Sequence, residues 1–554
     1  MCSIEGFTGH NDFTIEQFTS FNKNRGPDDT NYFENGAISL GHNLLKISPN
    51  DTNKSQPYVT DQGNVLCFNG AIYGIDNQWD TEWLANRIEK QGIKSLAHNV
   101  NGQWAFAWYE ASKNRVWLVR DHFGQKPLYY TTSSDKLFFS STPKPLYALM
   151  NKYDMFEISA KDFSLYNTDH SRFYYGSNFP YRGIQRLAPG EIMLFDITSG
   201  KITARDSLWN HQWNLDMNLK WDPEELEEEF VTCFNEVYDH GPGIKKTVSL
   251  SGGLDSTLIT SILKDKEHFS ATTCSWEDAE VNTEELNAHM LLESTIAEQT
   301  CNELGVEFNK SVVPRDFNPI MKEAYQALGI PIWDRNRIIP RYVNVKKAAE
   351  NGNKVFMAGD CADEILTGYN GDFNTFFPHH ARKKNFGKEW MNKNNNFVGS
   401  LRSFIPYNLF GNDHINNWNF TRTLAEGDSF CTVADHLAGS FGMESRLPFL
   451  HQRLAKYLLT VPGVYKLHVP FKHESFAEDY TKRKDQRFWR MGNWKGMLRD
   501  HMKSYYPEHV LKRERKIGFA NPWNARNDKL NQEYGKTDAE YVKLLHSSLT
   551  LDNK

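Results

Sequence analysis

The chain has 554 residues, more than one hydrophobic core usually serves, so we expect two or more domains. Hydrophobic residues make up 39% and charged residues 24% of the sequence, which is typical of folded globular proteins and excludes disordered and fibrous classes. The net charge of -6 provides no general attraction for nucleic acid or for an anionic membrane, so small-molecule chemistry is favoured.

The seven cysteines show neither CxxC pairing nor an even disulfide framework, which indicates a reducing compartment, and we expect the cytoplasm. No apolar stretch approaches the length of a membrane span, and the first residues lack the basic and apolar regions of a signal peptide. We therefore expect a mature chain that starts at Met1 or Cys2, with no membrane partner.

The first part of the sequence predicts a sheet-rich domain. Short β-rich apolar runs lie at residues 38–47, 65–73, 104–109, 116–119, 137–140 and 192–195. Turn signals such as Pro189-Gly190 end this pattern, and an acidic run from Asp222 to Glu229 opens an amphipathic helix. We predict a first domain over residues 2–210, with the boundary near 205–221.

Beyond this boundary, predicted strands alternate with predicted helices. The strands lie at 247–250, 269–276, 306–313 and 354–358, and the helices at 256–264, 284–304 and 342–350. Such alternation implies a parallel sheet covered on both faces, with ligands beyond the carboxyl ends of its strands. The chain looks mostly helical from about residue 400. We predict a second domain over 222–525 and a polar C-terminal tail over 526–554.

Cys2 is the first candidate catalytic residue. Removal of Met1 would leave a free α-amino group beside the thiol, so that nucleophile and base belong to one residue. A cysteine at this position is weak evidence alone, but further strings accompany it in order. These strings are Arg25-Gly26-Pro27-Asp28, Asn69-Gly70-Ala71-Ile72-Tyr73 and the run from Arg120 to Tyr130.

Together these strings resemble the N-terminal-nucleophile glutaminase domain of class II amidotransferases. The resemblance implies that Cys2 attacks the glutamine amide and that the Asn69 side chain and the Gly70 N–H form the oxyanion hole. It also implies that Asp80 receives the substrate ammonium. A simple hairpin turn at Asn69-Gly70 is the structural alternative. The motif arginines are interpreted as groups that hold turns around the site: Arg25 and Arg120.

Two positions depart from this family pattern. Leu44 stands where the family has an arginine for the glutamine α-carboxylate, and Ala71 stands where it has a glutamate that faces the ammonium. Each lost charge-assisted bond predicts glutamine affinity weaker by roughly 10- to 100-fold, so we expect poor use of glutamine and comparatively good use of ammonia. Lys46 is the nearest basic replacement, because on an alternating strand it shares a face with Leu44.

The second candidate site is the string from Leu250 to Ser256, where a β-run ends and a helix begins. Its glycines and serines expose N–H groups and hydroxyls at a helix N-terminus, which favours an anion. The Asp255 carboxylate cannot bind a phosphate directly, so its expected role is to hold a Mg²⁺ ion on the pyrophosphate. The string resembles the PP-loop of ligases that split ATP to AMP and pyrophosphate. The resemblance assigns ATP binding to Leu250, Ser251, Gly252, Gly253, Asp255 and Ser256.

A second acidic cluster, from Ala358 to Tyr369, also follows a β-run and enters a helix, and it resembles a motif of asparagine synthetases. Parallel strands bring their carboxyl ends to one edge, so we expect these carboxylates near Asp255. Asp363 is predicted to share metal ions with Asp255. Asp360 is predicted to be the acid/base or amine-facing group, and Gly359 to contact the adenosine.

Later strings extend the resemblance to asparagine synthetases. Residues 444–450 match E-x-R-x-P-F-L, with His451 in place of an aspartate. In the match over 507–522, Lys516 corresponds to the lysine that stabilises the acyl-adenylate and the charge leaving with pyrophosphate. A solvated basic helix end is the alternative there. The acceptor carboxylate is expected near residues 334–341, where arginines suit it.

The chain is thus identified as a member of the glutamine-hydrolysing asparagine synthetase family, over roughly residues 2–525. The resemblance implies an α/β and α+β protein, with an αββα Ntn-hydrolase-like glutaminase domain. A parallel-sheet adenine-nucleotide α-hydrolase-like (PP-loop) domain with a helical C-terminal part is expected to follow. Implied substrates are glutamine, aspartate and ATP with Mg²⁺, and the implied products are asparagine, glutamate, AMP and pyrophosphate.

Several alternatives stay open. The acceptor is another carboxylate in some relatives of this plan, and a mainly ammonia-using enzyme is a second option. A non-catalytic regulatory relative is disfavoured by the intact Cys2, Asp255, Asp363 and Lys516. A tRNA-modifying PP-loop enzyme is disfavoured by the acidic net charge, so we expect no nucleic-acid partner. A homodimer is an open possibility.

Overall fold

The computed structural model describes residues 2–47, 54–75, 78–98, 100–153, 157–158, 181–210, 222–277, 284–314, 316–330, 335–368, 414–466 and 495–512. Side chains within a few of these elements are not described. Antiparallel sheets form the N-terminal part, and a parallel sheet with helices forms the part that follows.

The strands of the N-terminal part are β1 (Ser3–Thr8), β2 (Asp29–Glu34), β3 (Ile38–Leu44), β4 (Tyr58–Val59), β5 (Val65–Ile72), β6 (Gly102–Glu110), β7 (Arg115–Arg120), β8 (Tyr129–Ser133), β9 (Lys136–Ser140), β10 (Glu157–Ile158), β11 (Tyr181–Arg182), β12 (Gln185–Arg186), β13 (Glu191–Asp196) and β14 (Lys201–Ser207). They form two six-stranded sheets of order β12-β8-β9-β1-β3-β2 and β14-β13-β7-β6-β5-β4, plus the pair β10-β11.

The two large sheets pack face to face, because alternate residues of their strands are apolar and buried. Ile4 and Leu40 of the first sheet share one core with Val65 and Ala105 of the second. Helices cover the outer faces: α1 (Ile15–Ser20), α2 (Asp80–Gln91) and α3 (Lys144–Lys152). The first and third of these contact the first sheet and α2 contacts the second, which confirms the expected αββα architecture.

The described residues of the second part contain five parallel strands: β15 (Lys246–Ser249), β16 (Phe269–Trp276), β17 (Glu307–Val313), β18 (Val355–Met357) and β19 (Glu444–Arg446). Their order is β17-β16-β15-β18-β19, so the direction of progression reverses between β15 and β18. Ligands of open α/β sheets bind at such a reversal, beyond the carboxyl ends of the strands. The PP-loop string follows β15 and the second acidic cluster follows β18, so the topology places both there.

The helices of the second part are α4 (Pro223–Asp239), α5 (Leu254–Leu263), α6 (Glu284–Leu304), α7 (Asn318–Leu328), α8 (Arg335–Glu350), α9 (Ala362–Ile365), α10 (His414–Ser440), α11 (Gln452–Thr460), α12 (Gly496–His501) and α13 (Glu508–Leu511). The acidic run predicted to open a helix does so, since the Asp222 side chain caps α4 by accepting a hydrogen bond from the Glu224 N–H at 2.9 Å. No helix in the described ranges has the length and apolar character that crossing a membrane requires.

Buried ion pairs join the N-terminal part to α10. Arg25 lies 2.6 Å from Asp435, and Arg120 lies 2.7 Å from Asp428, which also pairs with Arg186. Arg120 additionally holds the turn after β7, as predicted, by donating to the Lys126 carbonyl at 2.7 Å. Arg120 therefore fixes a turn of the first part, and both motif arginines dock that part on α10.

Candidate active sites

A cavity of 880 Å³ lies between the N-terminal part and α4, and Cys2 forms part of its wall. The strand ends of β3 and β5 and the beginning of α2 supply one side, with Leu44, Gly70 and Asp80 among the lining residues. The other side comes from α4 and the turn after it. The cavity is therefore built by both parts of the chain.

Cys2 is partly buried at the entrance to β1. Burial raises the pKa of its thiol to about 11, while the positive chain terminus and a backbone hydrogen bond from Leu45 oppose that rise. A thiol with so high a pKa is a weak nucleophile near neutral pH unless a base takes its proton. This environment agrees with a nucleophile that depends on the adjacent α-amino group as its base.

Asn69 and Gly70 lie in the middle of β5, paired with Ala105 and Trp104 of β6, so the hairpin-turn alternative is wrong. The Asn69 side chain is fully buried, and neither its nitrogen nor its oxygen has a hydrogen-bond partner within the described residues. An unpaired buried amide costs roughly 1–3 kcal/mol, so a bound ligand is its natural partner. A Cβ on Gly70 would lie 2.2 Å from the Gln103 carbonyl oxygen, so the close approach of β6 requires glycine there.

Of the positions expected to bind glutamine, some line the cavity and others do not. Asp80 begins α2 and lines the cavity, and its Oδ1 accepts a hydrogen bond from the Thr81 N–H at 2.8 Å. Leu44 also lines the cavity, whereas Ala71 is fully buried in the core. Lys46, predicted to share a face with Leu44, is instead exposed and is not among the described cavity-lining residues. The prediction failed because β3 ends at Leu44, so the alternation of faces does not continue to Lys46.

The PP-loop string connects β15 to α5 and folds back on itself. The Ser251 N–H donates to Ser256 Oγ at 3.1 Å, and the two serine hydroxyls lie 3.2 Å apart. Gly252 has a φ of 68°, and a Cβ there would lie 2.7 Å from Ile296 Cγ2. Glycine therefore allows both the left-handed turn and the packing against α6. The loop presents its N–H groups and hydroxyls at the start of α5, which suits a polyphosphate.

Asp255 and Asp363 meet at a buried lysine that the sequence analysis missed. The Lys495 ammonium group contacts Asp255 Oδ2 and lies 2.6 Å from Asp363 Oδ1, and its side chain is only 2% exposed. Burial disfavours the charged form, but the two carboxylates outweigh it and raise the pKa of Lys495. A lone lysine before the short helix α12 carries no sequence pattern, so its role becomes visible only when the chain is folded.

The loop after β18 touches the PP-loop directly. A Cβ on Gly359 would lie only 2.9 Å from the Asp255 Cβ, which is a clash, so the two loops approach too closely for any residue larger than glycine. Asp360 forms an ion pair with Arg341 of α8. The predicted residues of the second site thus lie together at the sheet edge, while Lys516 and Asp334 lie outside the described residues.

The second site fits a magnesium ion carried by a nucleotide. In the described part of the chain no three His, Cys, Asp or Glu side chains cluster as a metal site. The carboxylates of Asp255 and Asp363 nevertheless both contact the Lys495 ammonium group, so they lie close together around a positive charge. Mg²⁺ is usually held by one or two carboxylates together with phosphate oxygens and water, so these two carboxylates fit that role.

Family comparisons cover both parts of the chain. A model described as a glutamine amidotransferase domain matches residues 1–209, and a model described as asparagine synthase matches residues 245–542, which is more than half of the chain. The chain belongs to the asparagine synthase family. Membership makes it an asparagine synthetase-like amidotransferase of a family that uses ATP and small-molecule substrates such as glutamine.

Curated relatives of this asparagine synthase family member are distant but extensive. Glutamine-hydrolyzing asparagine synthetase 3 of Bacillus subtilis is 22% identical over 622 residues, covering 99% of this chain and 90% of that protein. Amidase chyE of Penicillium rubens is 22% identical over 560 residues, covering 83% and 80%. A solved glutamine phosphoribosylpyrophosphate amidotransferase from Bacillus subtilis is similar at 12% identity and a TM-score of 0.28, covering 56% of this chain and 91% of that chain.

Proposed function

We propose that the protein is a glutamine-dependent asparagine synthetase, which converts aspartate, glutamine and ATP to asparagine, glutamate, AMP and pyrophosphate. One observation carries the proposal: a single chain combines a cavity lined by Cys2 and Gly70, next to the unpaired buried amide of Asn69, with a PP-loop whose Asp255 meets Asp363 of the neighbouring loop at a buried cation. The first arrangement suits acyl transfer from an amide, and the second suits attack of a carboxylate on ATP.

In the first half-reaction, the Cys2 thiolate attacks the amide carbon of glutamine after its proton moves to the α-amino group. The oxyanion that forms takes hydrogen bonds from the Asn69 amide and the Gly70 N–H. Collapse of this intermediate releases ammonia, which leaves with a proton from the same base. Water then hydrolyses the thioester, giving glutamate and restoring the Cys2 thiol.

In the second half-reaction, the PP-loop holds the phosphates of ATP by its N–H groups and serine hydroxyls. Asp255 and Asp363 would hold Mg²⁺, which neutralises phosphate charge when bound. An aspartate carboxylate oxygen attacks the α-phosphorus and pyrophosphate leaves. Ammonia then attacks the acyl carbon and AMP leaves. Lys495 is placed to stabilise the negative charge that develops at the departing groups.

Another acceptor carboxylate is a second candidate. A relative of similar identity bears the name of an amidase, so family membership at 22% identity leaves the acceptor open. Arg341, which lies where we expected the acceptor carboxylate to bind, is paired with Asp360. An acceptor bound by Arg341 would have to compete with that ion pair, or to use both residues.

The acceptor can be identified directly. The full-length protein is incubated with ATP, Mg²⁺, ammonium and each of a panel of carboxylic acids that includes aspartate, and pyrophosphate release is measured. We expect release that depends on aspartate and is absent in Asp255→Asn. Release with a different acid alone would replace aspartate by that acid, and release with no acid would contradict the synthetase proposal.

We also propose the domain limits 2–210 and 222–525 for the glutaminase and synthetase parts, and a cytoplasmic location. The end of β14 at Ser207 and the beginning of α4 at Pro223 support the division. The location is supported by the seven cysteines, all of which are free.

A further inference from the structure

The glutaminase cavity contains an excess of acidic side chains. Asp80, Glu236 and Asp239 line it, and the one lysine or arginine among the described lining residues is Lys54. His240 also lines it, but burial lowers the pKa of that imidazole to about 4, so it adds no charge near neutral pH. Free glutamine carries an α-carboxylate as well as an α-ammonium, so its binding calls for a cation in this acidic surrounding.

Apart from the exposed Lys46, the segment between β3 and α2 supplies no second lysine or arginine. Between Ile47 and Asn86 the sequence contains no lysine or arginine besides Lys54, and this interval covers the loops between β3, β5 and α2. Leu44, at the end of β3, is apolar, and Lys46 is exposed away from the cavity. The position of Lys54 is therefore decisive for how the cavity binds an anionic group.

Lys54 is held against Trp79, the residue before Asp80. Its Nζ lies 5.7 Å from the centroid of the Trp79 ring, a cation–π distance, and Trp79 immediately precedes Asp80 at the beginning of α2. Tyr58 packs edge-on against the same Trp79 ring, with 5.3 Å between the ring centroids, and this contact helps to hold the Trp79 ring in place. The cavity wall thus presents a positive side chain over the Trp79 ring and a negative side chain on the next residue along the chain. An α-amino acid carries an ammonium group and a carboxylate group on its α-carbon. These two charges are complementary to the charges of Asp80 and Lys54.

We propose that Lys54 binds the α-carboxylate of the glutamine substrate while Asp80 receives its α-ammonium. The inference rests on the proposed function, because it takes glutamine as the amide donor. The lining also includes the apolar side chains of Leu44, Phe68 and Ile72, which suit the methylene groups of glutamine. A zwitterion anchored at Lys54 and Asp80 would extend its amide towards Cys2. Lys54 is accordingly a specificity-determining residue, distinct from the catalytic groups.

The test uses affinity labelling of the full-length protein. The glutamine analogue 6-diazo-5-oxo-L-norleucine keeps both α-charges and alkylates the nucleophile, whereas iodoacetamide carries neither charge. Peptide mass spectrometry locates each label, and Cys2 is the accessible thiol because the other six cysteines are buried. The variants are Lys54→Ala, Lys54→Arg and, as the matched control, Lys46→Ala, which removes an exposed lysine from the same segment.

We expect Lys54→Ala to slow analogue labelling of Cys2 by roughly 10- to 100-fold, the loss of one charge-assisted bond. Lys54→Arg should retain most of the rate, Lys46→Ala should match the wild type, and iodoacetamide should label all forms alike. Equal analogue labelling of Lys54→Ala and Lys46→Ala would overturn the role of Lys54 and leave the proposed function standing. A wild-type Cys2 that reacts with iodoacetamide but not with the analogue would overturn glutamine as the donor, and Lys54 as its anchor with it.

Discussion

Leu44 and Lys54 together predict how well the enzyme uses glutamine compared with ammonium as its nitrogen source. Lysine is a flexible point charge, whereas an arginine at position 44 would offer a planar fork of donors to a carboxylate. We therefore expect a glutamine KM well above the low micromolar range and comparatively good use of ammonium. Leu44→Arg should lower that KM by about 10-fold or more, through a charge-assisted bond. Steady-state kinetics with each nitrogen source measure this, and a low micromolar KM for the wild type would show the inference to be wrong.

Lys495 and Lys516 make separable predictions for the ATP site. Lys495→Ala and Asp255→Asn should each remove most pyrophosphate release, because the first leaves two carboxylates without their counter-charge and the second removes a proposed metal-binding carboxylate. Lys516→Ala should lower the rate by roughly 100-fold, or about 3 kcal/mol, if that lysine stabilises the leaving charge. Lys503→Ala, which removes an exposed lysine near α12, is the control. If Lys516→Ala behaves like this control while Lys495→Ala is inactive, the stabilising cation is Lys495 alone.

Single residues were predictable where a motif surrounds them. Cys2, Asn69 and Asp255 stand in strings whose order along the chain carries the information: Cys2 lines the cavity, Asn69 is buried in β5 beside the cavity-lining Gly70, and Asp255 lies in the loop after β15. Lys495 was not predictable, because nothing next to it in sequence distinguishes it from a surface lysine. Lys46 was wrongly placed for a related reason: a strand end is not visible in the sequence.

At the scale of secondary-structure elements, apolar runs located the buried strands well. The predicted strand at 269–276 and the predicted helix at 284–304 have the same bounds in the structure as β16 and α6. β1 and β19 were missed because buried charged residues interrupt their apolar pattern, as with Glu5 and Glu444. The fold accommodates both side chains: Asn22, distant in sequence, donates a hydrogen bond to Glu5, and Arg446 pairs with Glu444 two residues along the same strand.

The buried carboxyl of Glu5 on β1 predicts how the stability of the fold changes with pH. Burial raises the pKa of this carboxyl to about 8, against opposing hydrogen bonds from Asn22 and Ser3. The folded state therefore keeps a proton that the unfolded chain loses near pH 4.5, so stability is present below that pH and falls as the pH rises to about 8. Glu5→Gln should flatten this dependence and stabilise the protein near pH 8.

Urea unfolding across this pH range measures the effect. The slope contributed by one proton is at most about 1.4 kcal/mol per pH unit. Glu16→Gln on α1 is the control, because Glu16 is exposed and should leave the profile unchanged. A Glu5→Gln profile that parallels that of the wild type would show that Glu5 does not hold its proton in the folded state.

At the scale of the whole molecule, buried ion pairs dock the N-terminal part on α10 of the second part. Asp428 pairs with both Arg120 and Arg186, and all three side chains are buried. Asp428→Asn would leave two buried guanidinium groups without their counter-charge, which we expect to cost roughly 3–5 kcal/mol in unfolding free energy. Denaturant unfolding measures that loss, and limited proteolysis reports whether the two parts separate. Asp265→Asn, at an ion pair with an 85% exposed carboxylate, should change little, and equal effects of both changes would contradict the docking role.

The central claim is that one chain releases ammonia at Cys2 and consumes it at the PP-loop. The most direct test supplies ATP, Mg²⁺, aspartate and glutamine whose side-chain amide carries heavy nitrogen, and follows that nitrogen by mass spectrometry. We predict labelled asparagine from the wild type and none from Cys2→Ala, whereas labelled ammonium should give labelled asparagine with both forms. Equal loss of the two activities in Cys2→Ala, or wild-type asparagine that never acquires the glutamine nitrogen, would contradict the account.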